Sequence, residues 1–327
     1  MKIVTCFSYK GGAARTTTAA NIAAALASAR PGGGIRQPIG RKVAILDLDV
    51  FSAGTHRVFG ISNRQIERFS QENPCIQDYL CKQIAPSDYA CQNGITLDRA
   101  GSNSSLFNVF RDTYYAGDAC HPGFTLFPAR PDPETRFVVQ KQHENLLLQL
   151  LDELESRTDP AFDYAILDGE SGTRQMADIA LRLADIILVF FRLTWQHAEG
   201  TLNSVRKWRT NPSYKPVYLI PTCVPLVGMA DKVYWPEAAG LTDLRRLTQS
   251  VPLDSGIIDF ARESRKDVGE FWTDITGSAN GACVHESLLL KGEERIIVFE
   301  ELQQRDQAAD DFYRIAAELD QICHRST

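Results

Sequence analysis

The chain has 327 residues, of which 44% are hydrophobic, so it can bury a sizeable core and only modestly exceeds a usual single domain. Its formal net charge of −6 gives no global attraction to nucleic acid or anionic membranes, although a local basic patch is compatible with it. The first ten residues lack the apolar stretch of a secretory signal, and the most apolar run, ADIILVFF, is too short to span a bilayer as a helix. Eight scattered cysteines without a C-x-x-C pair are typical of a reduced protein, so we expect a cytoplasmic location.

Strand and helix patterns alternate from the N-terminus. KIVTCF (2–7) predicts a strand that leads through a glycine-rich turn into a helix with an apolar face. A Gly/Pro-rich loop over 29–40 precedes KVAILDLDV (42–50), an apolar run that indicates a fully buried strand ending in carboxylates. Residues 52–120 show no clean period, so we predict an irregular insertion of short helices and loops there.

The second half of the chain continues this alternation. A strand is predicted over 123–129 and a long amphipathic helix over 134–157, followed by strands within 162–172, 184–191 and 215–225. Largely apolar strands separated by helices predict an α/β fold, namely a doubly wound, mostly parallel sheet flanked by helices. Residues 226–295 predict a subregion of helices and loops within one domain that covers 1–327.

A helix is predicted at the C-terminus over 306–323. Its apolar stripe has helical spacing and consists of Phe312, Ile315, Ala316, Leu319 and Cys323. The opposite face is acidic rather than basic, so we expect this helix to pack on the core, and we expect no membrane partner.

FSYKGGAARTTTAANIAAAL (7–26) has the outline of a phosphate-binding loop that runs into a helix. Gly11 and Gly12 let backbone N–H groups approach an anion at the helix N-terminus, where unpaired amides and the helix dipole favour negative charge. Compared with G-x-x-x-x-G-K-[ST], the chain has Ala14 and Arg15 where glycine and lysine are usual. On this motif alone the signal is weak, and an ordinary turn is the alternative.

The loop closely resembles the deviant phosphate loop K-G-G-x-G-K-[ST]-[ST] of the ParA/MinD family of ATPases. KVAILDLDVFSAG, FTLFPA, FDYAILDGESG and ADIILVFFRLTWQHAEGTLNSV resemble further motifs of that family, in the family's order, over residues 1 to about 225. The resemblance implies a protein that binds ATP and Mg²⁺ and hydrolyses ATP weakly. It also implies an ATP-dependent sandwich homodimer that recruits a partner or cargo protein.

The same resemblance assigns roles to individual residues. Lys10 is the signature lysine that reaches the partner's nucleotide, Arg15 replaces the usual lysine as phosphate cation, and Asp49 acts on the attacking water. Thr16, Asp47 and Asp168 are the predicted Mg²⁺ site, in keeping with the oxygen ligands that this ion prefers. The predicted nucleotide contacts are Gly11, Gly12, Ala13, Ala14, Arg15, Thr16, Thr17, Pro221 and Thr222.

Departures from the family pattern leave alternatives open. Arg15 keeps the positive charge, but its planar guanidinium is larger than an ammonium and directs its donors differently. Ala14 adds a methyl group where the backbone must approach the phosphates closely. We therefore also consider a nucleotide-binding scaffold that does not hydrolyse ATP, and a small-molecule phosphotransferase of the related deviant-loop type. Glu170, in the segment that replaces the family's γ-phosphate sensor, is either functional or a solvated loop charge.

Basic residues cluster on or beside one predicted helix. They are Arg192, Arg206, Lys207 and Arg209, with Trp208 between them. Such a patch can hold DNA phosphates without sequence preference, so non-specific DNA is a possible partner. A solvated helix face is the alternative.

Overall fold

The structure is a computed structural model. It describes residues 1–28, 39–81, 84–92, 94–96, 124–131, 137–156, 161–172, 174–192, 197, 200–201, 203–204, 208, 215–223, 283–287, 290 and 306–324. The strands are β1 (Lys2–Phe7), β2 (Val43–Asp47), β3 (Ile95–Thr96), β4 (Phe124–Phe127), β5 (Tyr164–Asp168), β6 (Ile186–Arg192) and β7 (Val217–Thr222). The helices with described bounds are α1 (Arg15–Ala27), α2 (Thr55–Val58), α3 (Asn63–Glu72), α4 (Ile76–Cys81), α5 (Pro86–Gln92), α6 (Gln142–Ser156), α7 (Gln175–Leu183) and α8 (Gln307–His324).

The strands form one sheet in the order β3-β4-β2-β5-β1-β6-β7. All neighbours from β4 to β7 pair in parallel, and the two-residue strand β3 pairs antiparallel with β4 at one edge. This confirms the predicted doubly wound, mostly parallel sheet. The chain passes from β1 to β2 on one side and from β5 to β6 on the other, so the strand order reverses at β1. Such a reversal opens a crevice at the carboxyl ends of the strands, where ligands bind in this kind of sheet.

Both faces of the sheet are covered by helices. Successive side chains of a strand point to opposite faces, so Val43 and Ile45 of β2 join a core with α1, α2, α3 and α8. Ala44 and Leu46 join a second core with α4, α5, α6 and α7. Because both faces are buried, the strands are apolar at nearly every position. The predicted apolar stripe of the C-terminal helix is buried in the first core, as expected.

The long helix predicted over 134–157 is shorter in the structure, where α6 begins only at Gln142. Residues 137–140 are not helical, because the Phe137 ring is buried and stacks on His143 with ring centroids 5.3 Å apart. The backbone N–H of Gln140 donates to His143 Nδ1 at 3.2 Å. Phe137 therefore contributes to the core from a non-helical segment before α6.

The irregular region predicted over 52–120 contains four short helices, α2 to α5, as far as the structure describes it. Most of the predicted loop over 29–40, residues 97–123 and residues 224–282 lie outside the described residues. Within the described part of the chain, no helix has the length and apolar character to cross a membrane.

Candidate functional site

The turn between β1 and α1 has the backbone shape of an anion-binding loop. Gly12 has a φ of 81°, and Ala14 is left-handed with φ 53° and ψ 26°. Helix α1 then begins at Arg15, and its first internal bond runs from Thr18 N–H to the Ala14 carbonyl at 2.9 Å. The amides of a first helical turn have no acceptor inside the helix. The turn therefore presents backbone N–H groups and the positive end of the helix dipole to an anion.

A cavity of about 650 Å³ lies over this turn. Its size is within the usual range of small-molecule sites. Gly11 to Thr18 form its floor together with Ser8, and Asp49, Ser52, Ser171 and Arg192 form part of its walls. The rest of the lining comes from the end of β7 and from residues 284–290, namely Thr222, Cys223, Val284, His285, Glu286, Ser287 and Leu290. The cavity thus contains every predicted nucleotide contact except Pro221.

Two hydrogen bonds fix the turn to the sheet. Thr222, which is fully buried, donates from Oγ1 to the Ala13 carbonyl at 2.8 Å. On the other side, Gly172 N–H donates to the Ser8 carbonyl at 3.0 Å. Pro221 and Thr222 are the last two residues of β7. The Thr222 hydroxyl therefore supports the turn from β7.

Arg15 lies at the bottom of the site, with a side chain only 7% exposed. Its Nε donates to Asp168 Oδ1 at 2.7 Å, and its Nη2 donates to Asp49 Oδ2 at 3.0 Å and to Thr16 Oγ1 at 3.3 Å. Burial opposes the charge on Arg15, but the carboxylates of Asp168 and Asp49 outweigh it and raise the pKa of the guanidinium. Arg15 therefore brings together three of the other predicted residues, Thr16, Asp49 and Asp168, whereas Lys10 is exposed outside the cavity lining.

Asp47 and Asp168 lie opposite each other in the β2–β5 register and are fully buried. Asp168 Oδ2 accepts a hydrogen bond from Thr55 Oγ1 at 2.9 Å. The two oxygens of Asp47 accept backbone N–H groups of Asp49 and Thr55, each at 3.2 Å. Burial, together with the charges of Asp168 and Asp49, raises the pKa of Asp47 to about 8.

Solved structures share this arrangement of strands and helices. MinD from Pyrococcus horikoshii complexed with Mg-ADP is 15% identical with a TM-score of 0.57, and the match covers 100% of this chain and 98% of that one. A putative plasmid partition protein from Borrelia burgdorferi bound to AMPPNP is 15% identical with a TM-score of 0.54, covering 98% of both chains. The ParA of pNOB8 bound to nonspecific DNA is 13% identical with a TM-score of 0.56, covering 100% of this chain and 99% of that one. The chain has the MinD/ParA fold.

At these identities the likeness concerns the fold. No protein-family model matches the sequence, and no curated protein matches it significantly. This fold places the turn between β1 and α1 at the carboxyl end of the central strand β1.

Mg²⁺ accompanies ADP in one of these MinD/ParA structures, but the predicted Mg²⁺ residues of this chain do not fit the ion as they are arranged. Asp47 is fully buried, and its oxygens already accept backbone N–H groups. Thr16 Oγ1 and Asp168 Oδ1 both accept from Arg15. Among the described residues, no group of three or more His, Cys, Asp or Glu side chains is placed to hold a metal ion.

The segment 283–287 is a part of the site that sequence analysis missed. Val284 N–H donates to the Pro221 carbonyl at 2.9 Å, which places the segment beside the end of β7. His285 Nδ1 lies 2.7 Å from Asp311 Oδ2. Burial opposes the charge on His285, but its contacts with Asp311 and Cys283 outweigh it and raise the pKa of the imidazole to about 10. No periodicity or motif in the sequence marks this segment.

Glu170 is not the solvated loop charge considered as an alternative. Its side chain is buried, and Oε1 pairs with Arg174 Nη1 at 2.6 Å. Oε2 is buried without a hydrogen-bond partner among the described residues, and burial raises the pKa of the carboxyl. Glu170 is not part of the cavity lining, so it does not contact a ligand there in this arrangement.

The predicted basic patch is only partly described. Arg206, Lys207 and Arg209 lie outside the described residues, whereas Arg192 lines the cavity at the end of β6. Trp208 is buried and packs edge-on against Phe7, with ring centroids 5.0 Å apart. Trp208 is therefore a core residue and is not available to stack on a nucleic acid base.

Proposed function

We propose that this chain is a ParA/MinD-like ATP-binding switch protein with weak ATPase activity. The observation that carries the proposal is the anion-binding turn at the start of α1, which opens into a cavity of nucleotide size at the carboxyl edge of the sheet. The presence of Mg-ADP and AMPPNP in structures of the same fold supports a nucleotide as the ligand.

In this proposal the phosphates lie on the backbone amides of Gly11 to Thr17, with the Arg15 guanidinium beneath them. Asp49, whose side chain is 13% exposed and lines the cavity, orients the attacking water. Lys10 is exposed next to the turn and is not part of the lining, which suits a contact with the nucleotide of a second copy. The resulting ATP-dependent homodimer recruits a partner or cargo protein, and non-specific DNA is a further candidate partner.

One observation favours the non-hydrolysing scaffold as a second candidate. Both carboxylate oxygens of Asp49 accept hydrogen bonds, Oδ2 from Arg15 at 3.0 Å and Oδ1 from the Ser52 N–H at 3.1 Å. With a donor already on each oxygen, the carboxylate has less capacity left to accept a hydrogen bond from an attacking water. ATP binding with little or no turnover follows from this geometry.

Calorimetric titration with ATP and ADP, combined with phosphate-release assays, tests the proposal. We expect both nucleotides to bind, and we expect Asp49→Ala to lower turnover at least tenfold while binding persists. Asp152→Ala is the matched control, because Asp152 is an exposed carboxylate on α6 outside the cavity lining. Absence of nucleotide binding overturns the proposal. If the wild-type protein binds ATP but releases no phosphate, the non-hydrolysing scaffold is selected. Turnover that depends on an acceptor molecule identifies the phosphotransferase.

A further inference from the structure

We infer that the Arg15 guanidinium replaces Mg²⁺ in this site, so that the chain binds the metal-free form of its nucleotide. The inference rests on the proposed nucleotide-binding function and specifies which ionic form of the ligand the site accepts. It departs from the Mg²⁺ site predicted from the sequence.

Arg15 occupies the position among the oxygens where a metal ion would lie. Thr16 Oγ1, Asp49 Oδ2 and Asp168 Oδ1 are the hydroxyl and carboxylate oxygens that converge at the start of α1, and oxygens of these kinds are what Mg²⁺ selects. Each of the three accepts a hydrogen bond from the same guanidinium, at 3.3, 3.0 and 2.7 Å. A planar fork of donors suits this task better than an ammonium, which is a point charge. The position that would attract a metal ion is thus taken by a side chain.

The positive charge of Arg15 also opposes the binding of Mg²⁺. A guanidinium does not lose its proton in a protein, and the surrounding carboxylates stabilise its charge further. Mg²⁺ demands near-ideal geometry at about 2.1 Å from its ligands, so binding to any of these oxygens would place it beside the fixed positive charge of Arg15. Like charges disfavour each other strongly where water is excluded. Mg²⁺ could enter only if Arg15 left the buried carboxylate of Asp168 and the partly exposed carboxylate of Asp49.

The cavity also contains other cationic groups that can pair with the negative charge of phosphates. Its lining includes Arg192 at the end of β6 and His285, which the buried carboxylate of Asp311 keeps protonated. The acidic residues of the lining are Asp49, which is paired with Arg15, and Glu286. Together with the backbone amides of the turn, these cations can neutralise phosphate groups without a metal ion.

The test is calorimetry of the full chain with ADP and with ATP, in Mg²⁺ buffer and in EDTA. We expect the wild-type Kd for each nucleotide to differ by less than threefold between the two buffers. A tenfold or greater weakening in EDTA overturns the inference while leaving the proposed function intact. If neither buffer shows binding, the proposed function itself fails.

Arg15→Lys sharpens the test, because one ammonium nitrogen replaces the two guanidinium nitrogens, Nε and Nη2, that hold Asp168 and Asp49 separately. We expect this change to loosen the hold on the carboxylates and open one of them to the metal. We expect this variant to bind nucleotide at least tenfold tighter with Mg²⁺ than with EDTA. Arg41→Lys is the matched control, since Arg41 makes a two-point ion pair with Asp320 at 2.8 and 3.0 Å away from the cavity lining, and it should keep the wild-type ratio. If folded Arg15→Lys stays insensitive to Mg²⁺, the inference is wrong. Circular dichroism checks folding, and the wild-type comparison does not depend on the variant.

Discussion

Ala14 occupies a backbone conformation that suits glycine. Its φ of 53° and ψ of 26° are left-handed, and this region costs an L-residue with a Cβ about 1 kcal/mol or more. The ParA/MinD loop pattern carries glycine at this position. The conformation gives a physical reason for that choice, and it shows that the present chain retains the turn despite the strain.

We predict that Ala14→Gly raises the free energy of unfolding by about 1 kcal/mol, because relief of this strain exceeds the extra backbone entropy of glycine. Urea denaturation followed by circular dichroism measures the change. Ala13→Gly is the matched control, because Ala13 is buried in the same turn but has no positive φ, so that substitution should destabilise the protein. Equal effects of the two substitutions would show that Ala14 is unstrained.

Asp47 makes stability depend on pH. Its folded pKa of about 8 lies above the value of about 3.9 expected in the unfolded chain, so the folded protein binds the extra proton between these values. The corresponding stabilisation is complete below about pH 4 and is lost as pH rises to about 8. One proton corresponds to a slope of at most about 1.4 kcal/mol per pH unit.

We therefore predict that Asp47→Asn makes the decline of unfolding free energy between pH 5 and pH 8 shallower than in the wild type. The uncharged amide does not titrate, and its single oxygen keeps an acceptor for one of the two backbone N–H groups, so the slope with pH and not the absolute stability is the readout. Urea denaturation at each pH unit measures the slopes, and Asp152→Asn on the surface of α6 should leave the wild-type slope unchanged. Parallel curves for Asp47→Asn and the wild type would contradict the prediction.

At the level of elements, the site depends on how β7 supports the turn before α1. The Thr222 hydroxyl is the described link between them, through its bond to the Ala13 carbonyl at 2.8 Å. A buried carbonyl that loses its donor costs about 1–3 kcal/mol. The same bond positions the backbone on which phosphates are proposed to lie.

We predict that Thr222→Val lowers the free energy of unfolding by about 1–3 kcal/mol and weakens nucleotide binding several-fold. Valine fills nearly the same volume, so the effect reports the hydrogen bond rather than a cavity. Thr222→Ser keeps the hydroxyl and should recover most of the binding, although it loses some stability with the methyl group. Denaturation and calorimetry measure both quantities, and unchanged binding in Thr222→Val would show that the link does not position the loop.

At the scale of the whole molecule, the proposed sandwich dimer assigns Lys10 to the contact between two copies of the chain and not to nucleotide binding within one copy. We predict that Lys10→Ala retains ATP affinity within about threefold of the wild type but stays monomeric with ATP. The reason is the exposed position of Lys10 beside the cavity but outside its lining. Size-exclusion chromatography with light scattering measures the molecular mass with and without ATP.

Lys141→Ala, which removes an exposed lysine just before α6, serves as the control and should dimerise like the wild type. A Lys10→Ala protein that dimerises normally with ATP would remove the basis for assigning Lys10 to the interface.

The architecture and the position of the glycine-rich turn after β1 follow from sequence patterns alone. Apolar strands such as Tyr164–Asp168 and the stripe of α8 are local patterns, and local patterns reveal which side chains face a core. The predicted start of the long helix at residue 134 was wrong, since α6 begins at Gln142. The buried Phe137 contributes to the core from outside that helix, which a helical pattern of apolar residues does not reveal.

The contacts made by the residues of the turn depend on the tertiary fold. Arg15 and Asp168 are 153 residues apart in the chain, and they meet because β1 lies between β5 and β6. The segment 283–287 reaches the cavity because Val284 pairs with the end of β7, a contact that no local pattern specifies. Strand register and crossover direction bring these side chains together, and both depend on the packing of the whole sheet rather than on neighbouring residues.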